Sequence, residues 1–69
     1  MSTTFNNSSV INEASYDGAS RVLTIRFNSG ATYAYQDVDE SVHNGLTSAA
    51  SVGQFFAKNI RGRFNATRQ

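Results

Sequence analysis

The amino-acid sequence predicts an α+β domain: a three-stranded antiparallel β-meander followed by two α-helices packed on one face of it. Three observations carry that expectation. Alternating apolar residues separated by turn-forming clusters fill the first half of the chain. Apolar residues recurring every third or fourth position fill the second half. Together the two patterns account for nearly every apolar side chain. Residues 1–8 read as a flexible N-terminal segment, small and polar apart from Phe5; residues 9–64 read as the single folded domain and residues 65–69 as a basic C-terminal tail.

The first strand is expected over Val10–Tyr16, which alternates loosely, and "DGAS" (Asp17–Ser20) has the composition of a turn. "RVLTIRF" (Arg21–Phe27) is the second strand, with Leu23, Ile25 and Phe27 on one face and Val22, Thr24 and Arg26 on the other. "NSG" then forms a three-residue hairpin loop, closed by Gly30 in the left-handed conformation. If Phe27 pairs with Ala31 across it, Ile25 faces Tyr33 and Leu23 faces Tyr35, which puts both tyrosines on the apolar face. In the first hairpin, loops of two or four residues differ in register by two, so either leaves Ala14 and Tyr16 on that same face. Tyr33 and Tyr35 are therefore expected in the core with hydroxyls reaching its rim; the alternative is a platform on which nucleotide bases stack.

Val38, Val42, Leu46 and Ala49 mark the buried stripe of the first helix, with Asp39 as N-cap and Glu40 favourable in the first turn. Gly45 costs this helix about 1 kcal/mol relative to alanine, which implies close packing or a short helix. The second helix opens on a capping box, Ser51 with Gln54, and carries Val52, Phe56, Ile60 and Phe64 on its buried side, widened by Phe55. Gln54, Lys58 and Arg61 project from the opposite side within about 60° of one another, a polar and basic ridge. Gly62 ends the helix.

Composition narrows the function classes. A chain of 69 residues makes one domain and buries only about 60% of the surface its unfolded form exposes, so association into a homo-oligomer, a dimer or higher, is expected. There is no cysteine, hence neither a disulfide framework nor a thiolate metal site. One histidine and scattered carboxylates lack the spacing of zinc or calcium ligands, and no cofactor is expected. The N-terminus has no basic region ahead of an apolar stretch, so neither secretion nor a membrane span is expected, and the cytoplasm is the default. Catalysis finds no constellation: Glu13, Asp17, Asp37, Asp39 and Glu40 fall mostly in turns and at a helix start, where capping explains them. His43 lies on the first helix with no third group placed to orient it, and reads as a surface or helix-face residue rather than a proton shuttle.

The order of "SSVI", "YD", "LTIRF", "G" with "YAY", and "ASVGQFF" running to "IRGRF" resembles the KTSC domain, a short module found alone in bacterial and phage proteins and appended to some lysyl-tRNA synthetases. The similarity spans about Ser8 to Phe64 and resides in the ordered set rather than in any one motif. The synthetase context implies RNA binding. By position, the family's central tyrosine pair corresponds to Tyr33 and Tyr35, its helix-start motif to Ser51 and Gly53, and its basic end to Ile60 and Arg61. The chain departs from the pattern at Asp39, where the family often has proline, and at His43, where it often has an aromatic residue.

The best candidate for chemistry is an anion site. Ser51, Val52 and Gly53 open a helix whose first N–H groups lack intrahelical partners, and a glycine there lets a phosphate approach the backbone. The competing explanation is structural: the capping box uses those donors, and Gly53 allows tight packing on the preceding helix. Four of the six cations, Lys58, Arg61, Arg63 and Arg68, fall in the last twelve residues, where there is no acid. Candidate ligand-binding residues are thus Ser51, Gly53, Lys58, Arg61, Arg26, Tyr33 and Tyr35. The expected function is noncatalytic binding of a phosphate-bearing nucleotide, either RNA or a small nucleotide, in a phage or bacterial accessory protein; by analogy with small phage proteins, one mode of action is sequestration of a signalling nucleotide. The alternative is a structural or protein–protein interaction module without such a ligand.

Overall fold

The computed structural model describes residues 1–6 and 8–69. Its elements are β1 (Ser2–Thr4), β2 (Ile11–Asp17), β3 (Val22–Phe27), β4 (Thr32–Tyr35), α1 (Glu40–Ser48), α2 (Val52–Asn59) and β5 (Ala66–Arg68). The strands form one antiparallel sheet in the order β1-β2-β3-β4-β5. The α+β class and the two helices stand, but the sheet has five strands rather than three. Both additional strands come from segments expected to be flexible or frayed: Ser2 pairs with Ser15 at one edge and Arg68 with Tyr33 at the other. Asn7, within the segment read as flexible, lies outside the described residues. Each edge strand is three residues long and polar, so it has no apolar alternation to reveal it. Backbone pairing is its main attachment, helped in β1 by the Ser2 hydroxyl, which donates to the Glu13 carboxylate at 3.2 Å.

The central hairpin matches the register read from the sequence. Ile25 pairs with Tyr33 and Leu23 with Tyr35. The loop closes by N–H donation from Gly30 to the Phe27 carbonyl at 2.9 Å, with Gly30 at φ 98°. The first hairpin takes the four-residue loop, since Asp17 pairs with Val22. Its last residue, Arg21, adopts φ 58°, a left-handed conformation uncommon for a residue with a side chain. Inside the loop the Asp17 carboxylate accepts from the Ala19 N–H at 3.0 Å, and that bond, with one from Ser20, holds its pKa below the ordinary value. The loose alternation of β2 has a local cause: the register shifts between Ile11 and Glu13. This bulge moves the buried set from the odd position Ile11 to the even positions Ala14 and Tyr16.

The helices cover one face of the sheet. Ile11, Ala14, Tyr16, Leu23, Ile25 and Tyr35 from the sheet meet Val38, Leu46, Phe56 and Ile60 in one core. Three details of the helices differ from expectation. Val38 is buried but precedes α1, and Ala49 is its C-cap, so the stripe of α1 is shorter than the periodicity implied. Asp39 occupies the N-cap position without a side-chain cap bond, because its carboxylate pairs with the Arg21 guanidinium. His43, read as a surface or helix-face residue, is 3% exposed. Its ring stacks on Tyr16 of β2 at 5.5 Å and 17°.

Gly45 has the packing reason its cost called for: a Cβ there would lie 2.6 Å from the end of the Phe55 ring of α2. At the start of α2, Ser51 Oγ accepts from the Gln54 N–H at 3.4 Å. The helix ends at Asn59, before Gly62, which takes φ 74° in a turn closed by the Arg63 N–H donating to the Ile60 carbonyl at 3.0 Å.

Candidate functional site

The residues singled out from the sequence fall in four places. Ser51 and Gly53 share a cleft of about 480 Å³ between the N-terminal segment and the turn joining α1 to α2. Its walls are hydroxyl-rich, with Thr3, Thr4, Ser8, Ser9 and Thr47, and among the described residues no lysine or arginine lines it. Gly53 lies against Val10 rather than α1: a Cβ there would meet Val10 Cγ2 at 3.4 Å, ordinary contact. The donors of this helix start are partly used, since the Gln54 N–H goes to Ser51 Oγ and the Phe55 N–H to the Ser51 carbonyl at 3.0 Å. Lys58 and Arg61 are exposed at the other end of α2 and do not line this cleft.

The two tyrosines part company. Tyr35 is 6% exposed and meets Phe56 nearly at right angles at 5.9 Å; burial, and secondarily Tyr33 beside it, raises its pKa. It is a core residue. Tyr33 is half-buried. Its ring sits nearly perpendicular to Phe27 at 5.9 Å, and Phe27 in turn meets Phe56 at 5.3 Å. Tyr33 borders a second cleft of about 470 Å³ at the β3–β4 loop end of the sheet. Arg26 lies on the face that the helices leave open, paired in register with Glu13 and Thr32, away from both clefts.

The C-terminal cations fall on successive pieces of the fold. Lys58 lies in the last turn of α2, Arg61 and Arg63 occupy the turn that follows, and Arg68 stands on β5, all exposed. Among the described residues the one salt bridge is Arg21 with Asp39, so none of these four has an acidic partner there. Sequence reasoning counts Arg68 among the cations but does not place it. Because β5 pairs with β4, Arg68 comes directly opposite Tyr33, and residues opposite each other project from the same face with Cβ atoms roughly 5 Å apart. A three-residue polar strand carries no periodicity from which this could be read.

His43 is buried under α1 rather than presented at the surface. Both ring nitrogens are buried without a hydrogen-bond partner among the described residues. Burial, reinforced by the nearby N-terminal ammonium, lowers its pKa below the usual imidazole value. Among the described residues no three His, Cys, Asp or Glu side chains are grouped to hold a metal, and no helix is long and apolar enough to cross a membrane.

A five-stranded antiparallel sheet with one face wrapped by two helices, the other face open, and a basic C-terminal end defines a small α+β module. The chain belongs to the KTSC domain family, whose model matches residues 7–64. A crystal structure of a KTSC domain protein from Yersinia pestis superposes with a TM-score of 0.94 at 35% identity, covering 100% of this chain and 96% of that one. A protein of Tsukamurella paurometabola is 42% identical over 59 residues, 86% of this chain and 88% of its own length. A lysine–tRNA ligase of Nostoc punctiforme is 46% identical over 56 residues, 81% of this chain but 10% of the ligase. The chain thus spans about a tenth of that enzyme.

Proposed function

We propose that this KTSC domain is a noncatalytic binding module for a phosphate-bearing nucleotide ligand, either RNA or a small nucleotide. The observation that carries the reading is the acid-free end of the chain, in which Lys58, Arg61, Arg63 and Arg68 are all exposed and none forms a salt bridge among the described residues. Such a cluster attracts polyanions and releases counterions when it binds them. The relatives named lysine–tRNA ligase support the same reading, since they join a similar segment to an enzyme named for a tRNA. Ser51 and Gly53 would serve as backbone donors, and Arg26 as an outlying cation. Acting alone, such a module fits sequestration of a nucleotide rather than its conversion.

The test is a binding panel of short single-stranded RNAs and small nucleotides, cyclic and ADP-ribose types included, against the wild type and Arg61→Ala. Removing a charge-assisted hydrogen bond at a partly exposed site costs about 1 to 3 kcal/mol, so affinity should fall by about one to two decades while the melting temperature holds. An Arg61→Ala protein that stays folded and binds as well as the wild type removes Arg61 from the site.

Self-association belongs to the same proposal. The edges β1 and β5 leave backbone groups unpaired on their outer sides, and the open sheet face carries half-buried Val22 and Thr24. Sedimentation at high micromolar concentration should give a species heavier than the 7.5 kDa chain; a monomer alone would refute it.

A further inference from the structure

The cleft beside Tyr33 differs in chemistry from the one at the start of α2. Its walls combine an aromatic ring, a second ring behind it, and an exposed aliphatic side chain. Val10 is 44% exposed, one of two large hydrophobic side chains so exposed among the described residues, and it lines this cleft with Phe27, Ala31 and Tyr33. Asn28 and Ser29 supply polar groups at the rim. The Asn28 side-chain amide donates to the Ser8 carbonyl at 3.0 Å, which fixes the amide and leaves its oxygen as an acceptor. Phe27 is wedged between Tyr33 and Phe56, so the Tyr33 ring is braced from one side. On the other side stands β5, exposed along its whole length, with Arg68 across from Tyr33.

A braced ring at an open edge, polar groups at one end and an unneutralised guanidinium beside it together match a planar heterocycle carrying a phosphate. The ring stacks, the amide and hydroxyl meet the heterocycle's edge, and the guanidinium meets the anion. The volume, about 470 Å³, falls within the range of pockets that enclose small ligands. Among the described residues neither cleft has a lysine or arginine in its lining, but the Tyr33 cleft has Arg68 on the adjoining strand, opposite Tyr33, and the cleft at Ser51 has no large apolar side chain as exposed as Val10.

We infer that the base of the ligand docks in the Tyr33 cleft, stacked on Tyr33, with Arg68 of the edge strand holding its phosphate. This rests on the nucleotide-binding reading above and assigns that site its base-binding half. It gives the short strand β5 a role beyond closing the sheet, because only pairing with β4 delivers the cation.

The experiment is amide-resolved NMR of the full chain titrated with the four ribonucleoside 5′-monophosphates and, separately, with a mixed-sequence single-stranded RNA decamer. Shifts should concentrate on Phe27–Tyr33 and Arg68. Tyr33→Leu, which keeps apolar volume, and Arg68→Ala should each weaken binding about tenfold or more, while Tyr33→Phe binds as the wild type does. Saturation by a monophosphate identifies a free nucleotide as sufficient; saturation by the decamer alone identifies a strand. A probe that binds but shifts only residues around Ser51 or Arg61, indifferent to Tyr33→Leu, overturns the docking site and leaves the nucleotide reading standing. If no probe binds, both fall.

Discussion

His43 shows how much one side chain can conceal. Its imidazole, a polar group on a helix with no partner placed to orient it, suggests exposure, yet it lies flat against Tyr16 with both nitrogens buried. Tyr16 is itself anchored by its hydroxyl, which donates to the Val38 carbonyl at 2.6 Å, so the imidazole covers a fixed ring. Burial lowers its folded-state pKa. The neutral form is then the folded form, and at pH values between the folded pKa and the unfolded value of about 6.5 the unfolded chain binds more protons. The stabilisation from a neutral His43 is complete above pH of about 6.5 and is lost as pH falls through the folded pKa. Thermal melts across this range should show a decline on acidification that His43→Phe abolishes. Because phenylalanine leaves no buried polar nitrogen unpaired, that variant should also be more stable at neutral pH, by about 1 kcal/mol. An acid profile unchanged by His43→Phe would contradict this account of His43; the Asp17 carboxylate, held below its ordinary pKa, acts only at more acid pH.

At the scale of elements, the packing of α1 on α2 turns on a missing methyl group. Alanine at Gly45 would bring a Cβ to 2.6 and 2.9 Å from Phe55 ring atoms, well inside ordinary contact. Helix propensity alone would make Gly45→Ala stabilising by about 1 kcal/mol, but overpacking costs roughly 1–3 kcal/mol. The expected outcome is a lower melting temperature. Phe55→Leu in the same chain removes the ring atoms that collide, so the pair should be less destabilised than the sum of the single changes. Strict additivity would mean the two helices do not pack through this point. The elements also divide by how far the sequence disclosed them. The register of β3 with β4 was legible because Gly30 fixes the loop and alternation fixes the faces. The bulge in β2 blurred its alternation, and the short edge strands β1 and β5 had none. The candidate site divides the same way: Tyr33 and the basic end could be read from spacing and charge, whereas the juxtaposition of Tyr33 with Arg68 exists only through β5.

The whole molecule is a sheet with one face wrapped and one open, its positive charge concentrated where the chain ends. That asymmetry relates the fold to the proposed ligand, since the cations come from three consecutive pieces of structure, α2, the turn after it and β5, the last of which pairs with the strand whose Tyr33 walls a cleft. If a nucleotide ligand is held by these charges, its binding must respond to salt. The most direct measurement is binding to labelled single-stranded RNA and to mononucleotides across a salt series. For RNA engaging about three cations, log K should fall against log salt with a slope of roughly −2; for a compact nucleotide the slope should be shallower. Isotherms that stay flat for every ligand at high micromolar protein in low salt would contradict the account.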